Sequence, residues 1–264
     1  MADADDLTPL EKERKRDRLK RYASRAMRVP LAVRTSDLPK RAASAAVMLA
    51  VAVAAAWIGG WVWTALCAAA GLIVLWEWCA IVWRMTRNLT ARLVLCLIGL
   101  GYVGFGSLVV GALGNAQITG AGHLGPPWLL IALIAVVIAT DTGAYFAGRT
   151  FGGPKIAPAI SPSKTWAGLF GGMVSAGVVL AVLPTQTILG IGPAVGFAGG
   201  ALAAIVAQAG DFLESWMKRK AGLKDSGKLI PGHGGFFDRM DGLLAVSNLA
   251  GIASLFWIAN LGIS

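Results

Sequence analysis

The stretch Trp61-Val-Trp-Thr-Ala-Leu-Cys-Ala-Ala-Ala-Gly-Leu-Ile-Val-Leu-Trp-Glu-Trp-Cys-Ala-Ile-Val-Trp83 decides the fold class. It holds one charged side chain, Glu77, in a run long enough to cross a hydrocarbon layer, which takes about 17–25 helical residues. Backbone N–H and C=O groups in such a layer must bond within their own segment, so a helix is the expected conformation. Six comparable runs lie at about 42–59, 93–113, 127–147, 166–185, 189–209 and 241–261. Composition agrees. Of 264 residues, 56% are hydrophobic and 14% charged, against about 45–50% and 25% in soluble domains. A cytosolic enzyme, a disordered chain and a disulfide-stapled module are excluded. The expectation is an all-α, polytopic membrane bundle of about seven transmembrane helices.

The net charge of +10 divides into two parts. Residues 1–41 hold 12 of the 24 Lys and Arg and 7 of the 14 Asp and Glu. This mixed-charge arm has no apolar face of useful size, and residues 1–40 are expected to form a basic, flexible cytoplasmic arm ahead of a membrane domain at 41–264. The arm is too long and too charged for the start of a cleavable signal peptide. Beyond it, basic connections (84–92, 148–165, 210–240) alternate with uncharged ones (around 60, 114–126, 186–188). The positive-inside bias then puts the N-terminus in the cytoplasm and the C-terminus outside, which requires an odd number of spans. Nucleic acid is not an expected partner, because the basic residues serve topology and anionic lipid. Cys67, Cys79 and Cys96 lie in apolar runs without metal-ligand spacing and read as buried hydrophobes. Trp57, Trp61, Trp63, Trp128 and Trp257 fall at the expected outer ends and Trp83, Trp166 and Trp216 at the inner ends, as interfacial belts require.

After residue 41 only seven acids remain: Glu77, Asp141, Asp211, Glu214, Asp225, Asp238 and Asp241. A carboxylate within a membrane span costs about 2.5–3.5 kcal/mol on insertion scales, so each needs a reason. All seven lie at or near the cytoplasmic side of this topology, five of them within 211–241. That one-sided convergence locates a polar site in the inner leaflet. Asp141, Tyr145 and Gly148 fall at i, i+4 and i+7, on one helical face expected to look into the bundle. Ser161, Lys164 and Thr165 precede a helix, where an ammonium and a helix N-terminus together suit phosphate. Asp211, Glu214, Ser215 and Lys218 share a face, as do Asp238 and Asp241. Hard oxygen ligands of this kind suit Mg²⁺, which takes one or two carboxylates plus substrate phosphates. His233 sits among glycines, in what is expected to be an exposed loop. The pattern reads as metal-dependent chemistry on a phosphate-bearing lipid at the inner leaflet. A transporter would also bury acids, but it would need a polar path through the outer half, which has no charged side chain.

The run Ser215-Trp-Met-Lys-Arg-x₄-Lys-Asp-Ser-Gly-x₃-Pro-Gly-His-Gly-Gly-x₂-Asp-Arg-Met-Asp241 closely resembles the signature of phosphatidate cytidylyltransferases, the CDP-diacylglycerol synthases. Asp141-Thr-x-Ala-Tyr and Ser161-Pro-x-Lys-Thr-Trp resemble that family's other motifs, in the same order, and the resemblance covers about residues 40–264. It implies transfer of a cytidylyl group from CTP to phosphatidic acid, a step of phospholipid biosynthesis, in a bacterial-type inner membrane with the active site facing the cytoplasm. It implies Mg²⁺ as cofactor with room for a second cation, membrane lipid as surroundings, and a homodimer. By position, Asp211 and Asp238 correspond to metal-holding acids. Asp211, Asp238, Asp241, Lys218, Asp225 and His233 would form the catalytic group. Asp141, Tyr145, Ser161, Lys164, Thr165, Ser215, Arg219, Lys224 and Arg239 would contact substrate. A related enzyme acting on another lipid or sugar-phosphate acceptor is the nearest rival. The chain departs from the family at Ala167, where a Glu is common, so a role for that Glu has no bearer here.

Overall fold

The computed structural model describes residues 38–115, 128–183, 191–227, 229 and 234–261, with side chains described from 43 to 256 within those ranges. The chain divides into two units, 1–48 and 49–264. The described part of the first unit is the opening of one helix. All the other described residues belong to the second unit, which carries every polar group of the candidate site.

The described residues form seven helices: α1 Leu38–Ile58, α2 Gly60–Met85, α3 Leu89–Asn115, α4 Trp128–Thr150, α5 Trp166–Val182, α6 Pro193–Lys220 and α7 Phe237–Leu261. Of these, α2, α3, α4 and α6 are each long and apolar enough to cross a membrane, and Ala43–Ile58 within α1 and the whole of α5 are shorter apolar helices. The break between α1 and α2 falls where the sequence places it, at Gly59, whose φ of 67° is open to glycine and strained for other residues.

The all-helical expectation misses one element. Residues 155–165, read from sequence as a loop, contain strands β1 Lys155–Ala157 and β2 Ser161–Thr165 in an antiparallel pair, with Lys155 opposite Thr165 and Ala157 opposite Ser161. The Thr165 hydroxyl accepts the Gly168 N–H at 3.1 Å and so caps α5. A second difference is length. The apolar run expected at 189–209 belongs to a helix that continues to Lys220, so the first third of the expected 210–240 loop is helical. The extension holds because its polar side chains bond at i, i+4 spacing and because Lys218, Arg219 and Lys220 lie in the last turn, where cations complement the helix dipole.

Helix α4 packs on α5, α5 on α6, α6 on α7, α7 on α3 and α3 on α2, and α6 also touches α4, α2 and β2. The α4–α5–α6 seams are lined by Gly143, Gly171, Gly172, Ala176 and Gly177, small residues that let backbones approach closely where no hydrophobic effect drives helices together. Larger side chains fill two clusters. One gathers Trp63, Val110, Leu133, Val136 and Ala204; the other gathers Val74, Trp78, Ile81, Val103, Met217 and Phe237. Trp63 corrects an expectation. It is buried, not part of an interfacial belt, and its indole N–H donates to the Val110 carbonyl at 3.2 Å. Trp57 and Trp61 are exposed, as a belt requires, and the Trp257 side chain lies outside the described residues.

The seam that matters most for the site is α6 against α7 at Gly210. A Cβ there would lie 2.6 Å from both the Asp241 carbonyl oxygen and the Ala245 Cβ. Gly210→Ala is therefore expected to cost about 1–3 kcal/mol, since backbone cannot yield as a side chain can. Gly101→Ala, with nothing within 4 Å of the new methyl, should be neutral or mildly stabilising. Thermal unfolding of the two variants in detergent checks the contrast.

Candidate active site

Three pieces of chain bring the polar residues together: the last three turns of α6, the first turn of α7 and the end of β2. Because α6 remains helical past Gly210, Asp211, Glu214, Ser215 and Lys218 project along one side of it. The close approach at Gly210 sets Asp241 of α7 beside them. Carboxylate oxygens of Asp211, Glu214 and Asp241 lie within 4.8 Å of one another. The β-hairpin delivers Lys164, whose ammonium pairs with Asp211 and lies 4.9 Å over the Phe212 ring. Asp141 on α4 is in electrostatic reach of Asp211 and Lys164.

Beside this cluster Lys218 forms a bridge. Its ammonium donates to Glu214 Oε2 at 2.9 Å and to Asp238 Oδ1 at 2.5 Å. Asp238 Oδ2 accepts the N–H groups of Ser226 at 3.0 Å and Gly235 at 2.9 Å. Asp238 precedes the apolar run of α7. Its carboxylate is partly buried, and the Lys218 ammonium with the two N–H groups supplies the donors that offset this burial. Ser215 donates to Asp211 Oδ1 at 3.3 Å, and the Gly242 N–H donates to Asp241 Oδ1 at 2.7 Å.

Five carboxylates (Asp141, Asp211, Glu214, Asp238 and Asp241) thus meet two ammonium groups. Glu214 is 1% exposed, and its Oε1 is a buried oxygen without a hydrogen-bond partner. A buried, unpartnered carboxylate oxygen beside two further acids is a donor set that a divalent cation satisfies. Sequence reading placed the metal on Asp211 and Asp238. Asp211 stands with Glu214 and Asp241 in one group of acids, while Asp238, on the same side of the cluster, receives an ammonium and two N–H groups. Glu214 was legible in the i, i+3 spacing from Asp211, but nothing in the sequence said which acid Lys218 would neutralise.

The remaining expected site residues scatter. Tyr145 is 58% exposed and accepts a hydrogen bond from Arg149 at 3.0 Å, whereas Gly148 packs toward Thr165 and Gly168, so the expected common inward face is not formed. Ser161 and Thr165 are buried in the hairpin, and the Thr165 hydroxyl is taken by the α5 cap. Arg219 donates to the Ile160 carbonyl at 3.3 Å and ties the hairpin to the end of α6. Asp225, Lys224 and Arg239 are exposed near the same end, and His233 lies outside the described residues. One acid that sequence reading left without a role, Glu77, is fully buried and bonded to the segment that carries Asp238.

A profile of the Cytidylyltransferase family matches residues 83–256. The chain is 44% identical over 154 residues to a phosphatidate cytidylyltransferase of Brucella suis biovar 1 (strain 1330), covering 57% of this chain and 53% of the relative. It is 44% identical over 123 residues to one of Haemophilus influenzae, covering 45% and 42% of the two chains. It is 39% identical over 135 residues to one of Pseudomonas aeruginosa, covering 51% and 49%. The chain spans about half the length of the curated relatives it matches.

The Lys218 bridge has a consequence for stability. Lys218→Met leaves two carboxylates, one of them fully buried, without their cation, and such a loss costs about 3–5 kcal/mol. Arg219→Ala removes one exposed hydrogen bond and should change stability little. Melting temperatures of the two variants in the same detergent test the difference.

Proposed function

The chain belongs to the cytidylyltransferase family, and on that premise we propose that it transfers a cytidylyl group from CTP to phosphatidic acid, giving CDP-diacylglycerol and pyrophosphate. One observation carries this reading: the acids of α6 and α7 and Lys164 of the hairpin converge on one small region at the ends of apolar helices. A lipid phosphate and a nucleotide triphosphate could both reach such a region.

Asp211, Glu214 and Asp241 would hold the divalent cation, with Mg²⁺ the hard ion suited to an all-oxygen set that retains water and substrate phosphate. When bound, the ion would offset negative charge on the reacting phosphates. Asp238 would serve mainly to hold Lys218 and the Ser226 and Gly235 backbone in place. Lys164 stands at the cluster's edge, paired with Asp211, and could exchange that partner for a substrate phosphate. Arg219, Lys224 and Arg239 add positive charge at the same end, where the triphosphate would lie.

In the reaction, a phosphate oxygen of phosphatidate forms a bond to the α-phosphorus of CTP. The bond from that phosphorus to the bridging oxygen breaks, and pyrophosphate leaves with the electron pair. The nucleophile is already ionised near neutral pH, so no side chain must remove a proton. What the residues contribute is alignment and charge neutralisation. The proposed setting is a bacterial-type inner membrane crossed seven times, N-terminus inside and C-terminus outside, with the site facing the cytoplasm and a second copy of the chain as partner. Seven described helices and the alternating loop charges support it.

Purified protein given CTP, Mg²⁺ and phosphatidate should release pyrophosphate and form CDP-diacylglycerol, identified by mass spectrometry. Chelation should stop turnover and added Mg²⁺ restore it. Asp211→Ala should lower kcat at least about 100-fold while the protein still inserts and melts near wild type. Turnover with another phosphorylated acceptor but none with phosphatidate redirects the substrate assignment, and near-normal activity of Asp211→Ala removes that residue from the metal site.

A further inference from the structure

Glu77 has no part in the site described above and lies outside the matched segment 83–256. It sits about two turns before the end of α2 and is 1% exposed, in a run with no other charge. An acid in such a place persists only if its oxygens are bonded. Both are. Oε1 accepts the Phe236 N–H at 3.0 Å; Oε2 accepts the Phe237 N–H at 2.7 Å and the Ser226 hydroxyl at 2.8 Å.

Those partners define the residue's work. Phe237 is the first residue of α7, and the first N–H groups of a helix have no acceptor within it. Glu77 supplies the acceptor from another helix and adds negative charge at the positive end of the α7 dipole. Its neighbour Trp78 packs on the Phe237 ring at 5.6 Å between centroids, so two consecutive α2 residues grip one point of α7. Space around the carboxylate comes from two glycines of the signature stretch. A Cβ at Gly227 would lie 2.9 Å from Glu77 Cδ, and one at Gly235 would lie 2.8 Å from Oε2. The next residue in α7 is Asp238, and Asp241 follows one turn later. Ser226 completes a closed circuit, since its hydroxyl goes to Glu77 while its N–H goes to Asp238.

We infer that Glu77 is a positioning residue: from α2 it fixes the start of α7 and the Ser226 side chain, and so sets where Asp238 and Asp241 stand against the α6 acids. This rests on the reading of that cluster as the metal and substrate site. Glu77 touches no reacting atom; its effect passes through α7.

The test uses full-length protein in detergent and the variants Glu77→Ala, Glu77→Gln and Ser226→Ala. Hydrogen–deuterium exchange without substrate should rise in peptides covering 225–241 for Glu77→Ala and stay unchanged in α4 and α5. In the cytidylyl-transfer assay, kcat of Glu77→Ala should fall about 100-fold, the scale of a misplacement near 1 Å. The Mg²⁺ concentration for half-maximal rate should rise, with KM for phosphatidate unchanged. Glu77→Gln should fall between wild type and Glu77→Ala, because an amide has one acceptor oxygen for two N–H donors that point at separate oxygens. Ser226→Ala, losing one bond to a carboxylate, should fall about tenfold. Unchanged exchange at 225–241 together with wild-type kcat and Mg²⁺ dependence overturns the inference. So does a uniform rise in exchange across all helices with normal kcat in the folded fraction. If Glu77→Ala yields no folded protein, Glu77→Gln and Ser226→Ala decide by the same readouts. If the wild-type protein transfers no cytidylyl group, the activity reading fails, and the exchange experiment still decides the tether.

Discussion

The constraint on which the rest of the structure depends is the cost of ionised groups in an apolar bundle. A carboxylate or ammonium held away from water must find a partner of opposite charge, a set of N–H donors or a metal ion. The described cluster uses the first two solutions side by side. Lys218 sits between Glu214 and Asp238; Asp238 adds two backbone N–H donors; Glu77 takes two N–H groups and a hydroxyl; and Glu214 keeps one buried oxygen with no partner. Glu214 also stands in one group with Asp211 and Asp241, and on that grouping the proposed cation site rests.

Small residues make the arrangement reachable. Apolar side chains of helices gain little by leaving lipid for each other, so close backbone packing has to supply the association. At Gly210 that packing does a second job, because it sets Asp241 of α7 beside Asp211 of α6. The hairpin contributes in the same economical way. Its turn is held by Arg219, its end caps α5, and the residue between them and α6 is Lys164, paired with Asp211.

Helix positions were legible because the apolar runs have the length a hydrocarbon layer imposes, and their centres survive in the structure. Ends were less legible. Hydropathy stops α6 at the first acid, whereas helix continues wherever polar side chains bond one another along it, as from Asp211 to Lys218. The short strands at 155–165 escaped notice because a three-residue strand has no periodicity to read. Trp63 was misread for a similar reason: position near a span's end does not reveal whether an indole faces lipid or a neighbouring carbonyl.

By itself the sequence determined the apolar runs that become helices long enough to cross a membrane, how few acids follow residue 41, and which motifs bear a family resemblance. These come from composition and spacing along one chain, quantities that do not depend on how helices meet. Only the tertiary structure decided how the acids divide their partners: Glu214 and Asp241 grouped with Asp211, Asp238 bound to Lys218, and Glu77 bonded to residues 149 to 160 positions away. The physical reason is that a carboxylate's role is set by which donors surround it, and here the donors come from other helices.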